Sequence, residues 1–566
     1  MRTKEILHKM DVSYSDMRAF VEDIGDRYCG KVAYSFRRNP RDAEVARVNF
    51  EDLREDVRAL STMLIARGCA GKHIALIGRL SYSWILMYYA TFCIGSVLIP
   101  LDRDWTAEEL AETVKRADTD FCFIDADMGA KAKALAEAIP ELPEFVYLDG
   151  AEGVTVPRLV RDGNVRLSSG DRSYYETEID PMKLSLLVFT SGTTGKGKGV
   201  MLSQNAIIVD LLDVVQYMDF SEKTLGLLPP HHTYGSSVNI FGHALIGSEV
   251  YISGGLRYIL NELKEQKPGH LVLVPLYLET FYRKILAGIK DQGKEKLFMR
   301  MMKISNGMRK VGVDLRRKLF ASVLKTFGGN LRMVVSGGAP ISPEIQFFFE
   351  SIGVQILNGY GITECAPLIA ANHSLNVVPG SVGSPIEVDT VKIDEPNEDG
   401  EGEICVKGPN VMLGYFKDEE ATAAAFDEEG FFRTGDYGRI DEDGILYITG
   451  RKKNLIILSN GKNVYPEEIE AEFASVPGVQ DVVVYEGQSK RGLMYNTIVL
   501  EIYPDKDYME KNGITDFDAH FDPFVQNYNR RAVPYKKIGL LRVRTEEFPK
   551  NTLRKIMRFK MDMTID

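Results

Sequence analysis

The chain predicts an α/β fold: a large, multi-layered N-terminal domain with two mainly parallel sheets, helices and a small β-barrel, then a small α+β C-terminal domain. Three observations predict it. Short apolar runs alternate with helical stretches over most of the chain, the pattern of a parallel sheet with crossover helices. From about Gly380 to Tyr447 the pattern changes to short alternating strands and glycine-rich turns, as in GEICVKG and GILYITG. After ITGRKKNLIIL a compact strand–helix–strand pattern starts afresh. With 566 residues, the chain is too long for one compact core.

Examples of the apolar runs, in order, are HIALIG (73–78), SVLIPL (96–101), FCFID (121–125), LSLLVFT (184–190), LVLVP (271–275), LRMVVS (331–336) and VQILNGY (354–360). The helical pattern FEDLREDVRALSTMLIARG fills 50–68. The uncharged stretch Trp84–Leu101 approaches membrane-spanning length. Gly95, Ser96 and Pro100 interrupt it, so it predicts a buried helix to about Cys93 followed by a short buried strand. Past Asn454 the pattern gives two strands, the helix PEEIEAEFASV, the strands VQDVVVYEG and YNTIVLEIY, a further helix and the strand IGLLRVR. The expected large domain is residues 1–449 and the small one residues 454–566.

Composition narrows the function classes. Hydrophobic content of 45% and charged content of 26% match an ordinary globular protein. A net charge of -11 disfavours a nucleic-acid binder held by phosphate contacts, while leaving room for a local basic site, and it also disfavours an anionic membrane face. The six cysteines form no C-x-x-C pair, so neither a zinc ribbon nor a redox motif is indicated. Scattered thiols and the absence of an apolar N-terminal leader suit a cytoplasmic protein.

The strongest local signal is LVFTSGTTGKGKGVMLS, Leu187–Ser203. An apolar strand runs into a loop whose glycines let backbone N–H groups approach an anion closely. Thr190, Ser191, Thr193 and Thr194 add hydroxyl donors, Gly192 and Gly195 the backbone freedom, and Lys196 and Lys198 the charge. Gly192–Lys198 also fits the Walker A spacing. Gly199 then stands where that loop needs Ser or Thr, and GVMLS looks extended where it needs a helix.

Two further strands end in tight glycine turns, RMVVSGGAPISPEI (332–345) and ILNGYGITECAP (356–367). Open α/β sheets bind ligands at the C-terminal ends of their strands. Backbone at Gly338, Ala339 and Pro340 suits an adenine edge, and Tyr360 in Asn358-Gly359-Tyr360-Gly361 suits stacking on the base. Thr363 suits a phosphate contact, and Glu364 is the hard oxygen ligand that Mg2+ prefers, with Thr193 as partner. Asp436, in TGD, is an acceptor for ribose hydroxyls, and Arg451, in GRKK, a fixed cation for phosphate or ribose.

TSGTTGKGKGV resembles the signature of the adenylate-forming superfamily, which includes acyl-CoA synthetases, peptide-synthetase adenylation domains and luciferases. Gly197 stands where proline is usual, and Lys198 keeps the lysine register. GYGITE resembles that family's G-Y-G-x-T-E. LPPHHTYG resembles its P-L-x-H-x-x-G segment, which places His232 and Gly235 at the acyl and thiol site. The resemblance makes 450–453 a hinge centred on Lys453. It also aligns the loop at Gly461 with the one that reaches the thiol tunnel. FPKNTLRKIMR resembles P-K-T-x-x-G-K-I-x-R, which puts the catalytic lysine at Lys555, with Leu553 and Arg554 as departures and Lys550 and Arg554 as rival cations.

The likeness is greatest to long-chain fatty acid–CoA ligases. It implies a ligase using ATP, Mg2+ and coenzyme A, in which Glu364, Arg451, His232 and Lys555 serve the chemistry. The small domain is expected to be mobile. A carrier-protein (acyl carrier protein) acceptor, an aromatic or short acid, and a non-catalytic nucleotide-binding relative are the alternatives.

Overall fold

The computed structural model describes residues 11–142, 145–150, 153–190, 197–458, 463–490, 494–550 and 556–565. A seven-stranded sheet organises its first half. In spatial order its strands are Gly414–Tyr415, Gly199–Ser203, Leu184–Phe189, Val97–Leu101, His73–Ile77, Phe121–Ile124 and Val146–Tyr147. The last five run parallel, and the second, Gly199–Ser203, is antiparallel to both its neighbours. Strand Val97–Leu101 is buried throughout, which is why it reads as an unbroken apolar run.

The ambiguous apolar stretch resolves as expected, into helix Tyr82–Cys93 and then that strand. Ser81 starts the helix by accepting from the Trp84 amide at 3.2 Å. Residues Ser83–Cys93 are all buried, so the helix has no polar face to show. Among the described residues no helix is long and apolar enough to cross a membrane.

A second sheet holds His270–Leu273, Met333–Gly337, Gln355–Gly361, Leu368–Ala371 and Ser384–Pro385, the first three parallel. A third holds Ala46–Asn49, Val32–Phe36, Glu249–Ile252 and Lys223–Gly226. Where a small barrel or sheet is expected stand four antiparallel strands: Thr390–Asp394, Gly402–Lys407, Phe432–Ile440 and Leu446–Arg451. The crossover between His270–Leu273 and Met333–Gly337 is long and helical. Its helices Pro275–Asp291 and Glu295–Arg309 pack Phe281, Phe298 and Met302 into a core of their own.

The C-terminal part has a separate core of Ile469, Phe473, Val484, Leu500 and Phe521. Hairpin Ile456–Ile457/Asn463–Val464, helices Pro466–Phe473 and Phe517–Arg531, and strands Val479–Gln488, Met494–Pro504 and Ile538–Val543 follow the expected order. It meets the crossover helix Pro275–Asp291 through the ion pairs Arg283–Asp505 (3.5 Å) and Lys511–Asp291 (3.1 Å). Five of the six free cysteines are buried, as core thiols should be, whereas Cys29 is exposed.

Candidate functional site

The glycine loop is held shut at its neck. Strand Leu184–Phe189 leads in and Gly199–Ser203 leads out, in register Phe189 to Gly199, and the Thr190 amide donates to the Lys198 carbonyl at 3.0 Å. The extended course of Gly199–Ser203 removes the Walker A reading, which needs a helix there. Arg116, which the sequence did not single out, donates to the Gly197 carbonyl and lies 5.0 Å over the Phe189 ring. Ser191, Gly192, Thr193, Thr194 and Gly195 lie outside the described residues.

From this neck a chain of contacts leads to Glu364. Strand Gly414–Tyr415 pairs with Gly199–Ser203, bringing the Tyr415 ring within 4.4 Å of the Lys198 ammonium. The Tyr415 hydroxyl donates to Glu364 Oε1 at 3.0 Å. The Met412 amide donates to the Glu364 carbonyl at 2.8 Å, tying the two segments together. Burial raises the Glu364 carboxyl above the ordinary glutamate value, opposed by hydrogen bonds from its own backbone and Tyr415 and by the charges of Arg451 and Lys198.

Glu364 reaches that position because the chain turns sharply after strand Gln355–Gly361. A side chain at Gly361 would place its Cβ 2.0 Å from the Pro367 carbonyl oxygen, so only glycine fits the turn. Beneath it Asp210 accepts from the Leu368 amide at 3.1 Å. Asn410 donates to Asp389 and to the carbonyls of Cys365 and Leu368. Burial raises the Asp210 carboxyl and pushes that of Asp389 up to about 7.

A second network adjoins the first. Asp436 and Arg451 face each other across neighbouring antiparallel strands, with Arg451 Nε 2.9 Å from Asp436 Oδ1. The Tyr360 hydroxyl donates to Asp436 Oδ2 at 2.8 Å. Tyr360 is thus anchored by its hydroxyl, with its ring largely enclosed, and Asp436 already has one partner on each oxygen. The turn at Gly338, Ala339 and Pro340 is exposed at the end of strand Met333–Gly337. Asn358 spends its side-chain amide on the Ser381 carbonyl at 3.1 Å and receives backbone support from Asn372. Gly359 pairs with Ala371, and Thr363 is buried.

The histidine block divides into two. His232 stands at the position before the short helix Thr233–Ser236 without capping it through its side chain. Gly235 lies so close to the Pro229 carbonyl that a Cβ would sit 2.0 Å from its oxygen. His231 points Nε2 toward buried Asp102, at 3.5 Å, at the end of strand Val97–Leu101. Burial lowers the His231 pKa, against the pull of Asp102. His243 instead joins His270, 2.7 Å between the Nε2 atoms, in the core. The His243 Nδ1 hydrogen goes to the Val238 carbonyl, so His270 Nε2 donates to His243 Nε2, and His270 Nδ1 accepts from the Ser221 amide. Both rings are neutral donors and acceptors in a closed chain. Among the described residues no group of three or more His, Cys, Asp or Glu could hold a metal ion.

Arg451 opens directly into the turn Lys452–Asn454, which holds Lys453. Lys452 pairs with Glu403 at 2.5 Å and Asn454 donates to Glu467 at 2.6 Å, so the turn is tied on both sides. Gly461 and Lys555 lie outside the described residues, as does Arg554. The neck of the Lys555 loop is described: Lys550 pairs with Ile556 as a β-bridge, and the Met557 amide donates to the Pro549 carbonyl at 2.7 Å. The Lys550 ammonium is held by Asp481 (2.7 Å) and Glu547 (2.8 Å), which commits this rival cation to the loop's base.

The chain is similar to several known proteins. It is 28% identical over 452 residues to the long-chain-fatty-acid–CoA ligase FadD15 of Mycobacterium bovis, covering 76% of this chain and 73% of that protein. It is 27% identical over 517 residues to human long-chain-fatty-acid–CoA ligase 1, covering 85% and 73%. Its fold matches ATP-bound MatB from Rhodopseudomonas palustris with a TM-score of 0.75 at 24% identity, covering 96% of this chain and 98% of that one. It matches the anthranilate CoA ligase AuaEII with anthranoyl-AMP bound at a TM-score of 0.77 and 18% identity, covering 97% of each. The family model for AMP-binding enzymes matches residues 21–416, which span the glycine loop, the Glu364 turn and Tyr415. The chain belongs to the AMP-binding enzyme family.

Proposed function

We propose that this enzyme activates a medium- or long-chain fatty acid with ATP, releases pyrophosphate, and passes the acyl group from acyl-AMP to coenzyme A. The observation that carries this reading is the convergence of Lys198, Tyr415, Glu364, Arg451, Asp436 and Tyr360 beside the neck of a glycine-rich loop. Such a site binds and orients the phosphates and ribose of a nucleotide. The fatty acid and the coenzyme A acceptor are supported by the names of the relatives.

A carboxylate is a poor electrophile because oxide cannot leave. Its oxygen attacks the α-phosphorus in line, the bond to the bridging oxygen breaks, and pyrophosphate departs with the electron pair. Lys198 and the loop donors neutralise the phosphate oxygens, Asp436 orients the ribose, and Lys555 bridges carboxylate and α-phosphate. The thiolate of coenzyme A then attacks the acyl carbonyl and AMP leaves. Glu364 offers a carboxylate oxygen beyond the one that Tyr415 engages, a donor set that fits Mg2+ together with the Thr193 hydroxyl. A bound Mg2+ would supply charge neutralisation on the departing pyrophosphate. Lys555 and the Gly461 loop both lie in residues 454–566, and both must visit one acyl carbonyl. Reorientation about Lys453, within hinge residues 450–453, serves both steps.

The test is pyrophosphate release over acids from acetate to palmitate with benzoate included, followed by addition of coenzyme A. Turnover that rises toward the longer acids and yields a thioester is expected. A preference for benzoate would replace the fatty acid by an aromatic one. No thioester with free coenzyme A would move the acceptor to a carrier protein.

A further inference from the structure

Lys198 stands between two glycines, so its backbone is only as rigid as its neighbours make it. Most of the surrounding groups are tied. Gly199 pairs with Phe189 in the sheet, and its carbonyl accepts from the Phe416 amide at 2.7 Å. The Lys198 carbonyl accepts from the Thr190 amide at 3.0 Å. That leaves the peptide between Gly197 and Lys198, which precedes strand Gly199–Ser203 and gains nothing from its pairing. Its carbonyl is the one that accepts from Arg116 Nη2.

Arg116 ends helix Ala107–Arg116, and that helix is firmly held. At its start Thr106 accepts from the Glu109 amide at 3.2 Å while Glu109 accepts from the Thr106 amide at 2.8 Å, a reciprocal cap. Leu110 and Val114 are buried in one core with Ile99 and Leu187, against which Phe189, Met201 and Phe416 also pack. The turn after the helix is closed by the Ala117 amide on the Thr113 carbonyl (2.9 Å). It is joined to strand His73–Ile77 by the Asp120 amide on the His73 carbonyl (2.8 Å). Asp118, in the same turn, pairs with Lys417 at 2.6 Å. Lys417 follows directly on Tyr415 and Phe416, and the Tyr415 ring faces the Lys198 ammonium. One helix end therefore braces Lys198 twice: through Arg116 at the backbone before it, and through Asp118 at the segment beside its ammonium. The Phe189 ring, 5.0 Å from the Arg116 guanidinium, holds the fork in place.

We propose that Arg116 is a positioning residue for nucleotide binding: through the Gly197 carbonyl it fixes the backbone that presents Lys198 to the phosphates. This rests on Lys198 neutralising phosphate oxygens, as proposed for the reaction, and on no particular acid. A lysine ammonium is a point charge on a flexible stem, so its worth at a phosphate depends on where its backbone is held. A guanidinium carries several N–H donors in one rigid plane, so one donor holds the carbonyl while the plane rests on a ring. Arg116 acts without touching the substrate. A cation acting by charge alone would serve equally well as lysine, whereas a brace acts through the stiffness of the backbone it holds.

The experiment measures pyrophosphate release by the full chain against ATP concentration and, separately, against acid concentration. Arg116→Leu should raise the KM for ATP by about tenfold, with a smaller change in kcat and none in the KM for the acid. Gly197→Pro or Gly197→Ala, each of which removes backbone freedom, should recover part of that loss when added to Arg116→Leu. Arg116→Leu/Lys198→Met should bind ATP no worse than Lys198→Met alone, because Arg116 acts through that lysine. Asp118→Asn, which releases Lys417, serves as a second variant and should raise the same KM by less. Melting curves show whether each variant is folded. An unchanged KM for ATP in Arg116→Leu, beside a raised one in Lys198→Met, overturns the proposal and leaves the role of Lys198 intact. If Lys198→Met leaves it unchanged too, both fall. Full activity in Arg116→Lys with no recovery from either Gly197 variant also overturns the brace, and makes Arg116 a charge felt by the phosphates.

Discussion

Around Glu364 and Asp436 each charge turns inward to a fixed partner: Glu364 to Tyr415, Asp436 to Tyr360 and, across the neighbouring strand, to Arg451. Around Lys296, Arg300 and Lys303 the charges turn outward with apolar neighbours beside them. Both regions are rich in ionisable groups, and net charge describes neither. The difference lies in what the surrounding elements supply. The first region sits where strand ends and a small antiparallel sheet meet, so partners arrive from several directions and fix each side chain. The second is a helix with one buried stripe, and among the described residues its other face is exposed. Inward charges prepare a site of set geometry, whereas outward charges keep their freedom in solvent.

That comparison can be broken at several points. The largest effect is expected at Lys555, the cation assigned to the carboxylate and α-phosphate. Lys555→Ala should slow pyrophosphate release by about a hundredfold or more while ATP binding is retained. Lys550→Ala and Arg554→Ala serve as companions. Lys550 is committed to Asp481 and Glu547, so its loss should show mainly in stability. If Lys550→Ala alone is inactive, the catalytic lysine has been placed in the wrong register.

The next effect concerns the second half-reaction. Lys453→Pro fixes φ and removes a donor in the turn that follows Arg451. Thioester formation from pre-made acyl-adenylate should fall far more than adenylation, timed separately by quenched flow. Equal losses in both would move the hinge elsewhere.

Glu364→Gln should slow adenylation by more than about tenfold, near 1.4 kcal/mol at the transition state, and shift the Mg2+ titration. An unchanged rate and titration would remove Glu364 from the chemistry. Lys296→Glu/Arg300→Glu/Lys303→Glu in helix Glu295–Arg309 should leave adenylation of a water-soluble acid unchanged, and this sets the outward region apart from the inward one.

The smallest effect is on stability. Burial lowers the pKa of His243 to about 4 and that of His270 well below its ordinary value. The folded state therefore binds fewer protons than the unfolded chain, in which histidine titrates near 6.5. The pair's contribution is complete above about pH 6.5 and is lost as pH falls from there toward about 4. The raised carboxyls of Asp210 and Asp389 act in the opposite sense across an overlapping range, so wild-type melting alone would mix the two. The stability difference between wild type and His243→Leu/His270→Leu should shrink as pH is lowered from 6.5 to 4. A difference independent of pH would mean that the histidines are not neutral in the fold.

The sequence by itself determined many of the strands and turns, though not the sheet of Val32–Phe36, Ala46–Asn49, Lys223–Gly226 and Glu249–Ile252. Doubly buried strands such as His73–Ile77 and Val97–Leu101 read as apolar runs. Gly361 marks a turn that no other residue fits. The glycine loop announces an anion site through residues adjacent in the chain. These signals are local, because periodicity and turn chemistry act between near neighbours. Only the tertiary structure decided the partnerships. Tyr415 meets Glu364 because a two-residue strand joins the edge of the seven-stranded sheet, and no spacing in the sequence encodes that. Arg116 reaches the neck of the glycine loop from a helix far upstream. His243, which lies in the same sequence block as His232, turns away into the core to meet His270, because hydrogen-bond partners and burial are fixed by which elements pack together. A basic run at 283–332 was readable as composition, but its outward face was not. Which side of a helix is left uncovered depends on what the rest of the chain packs against it.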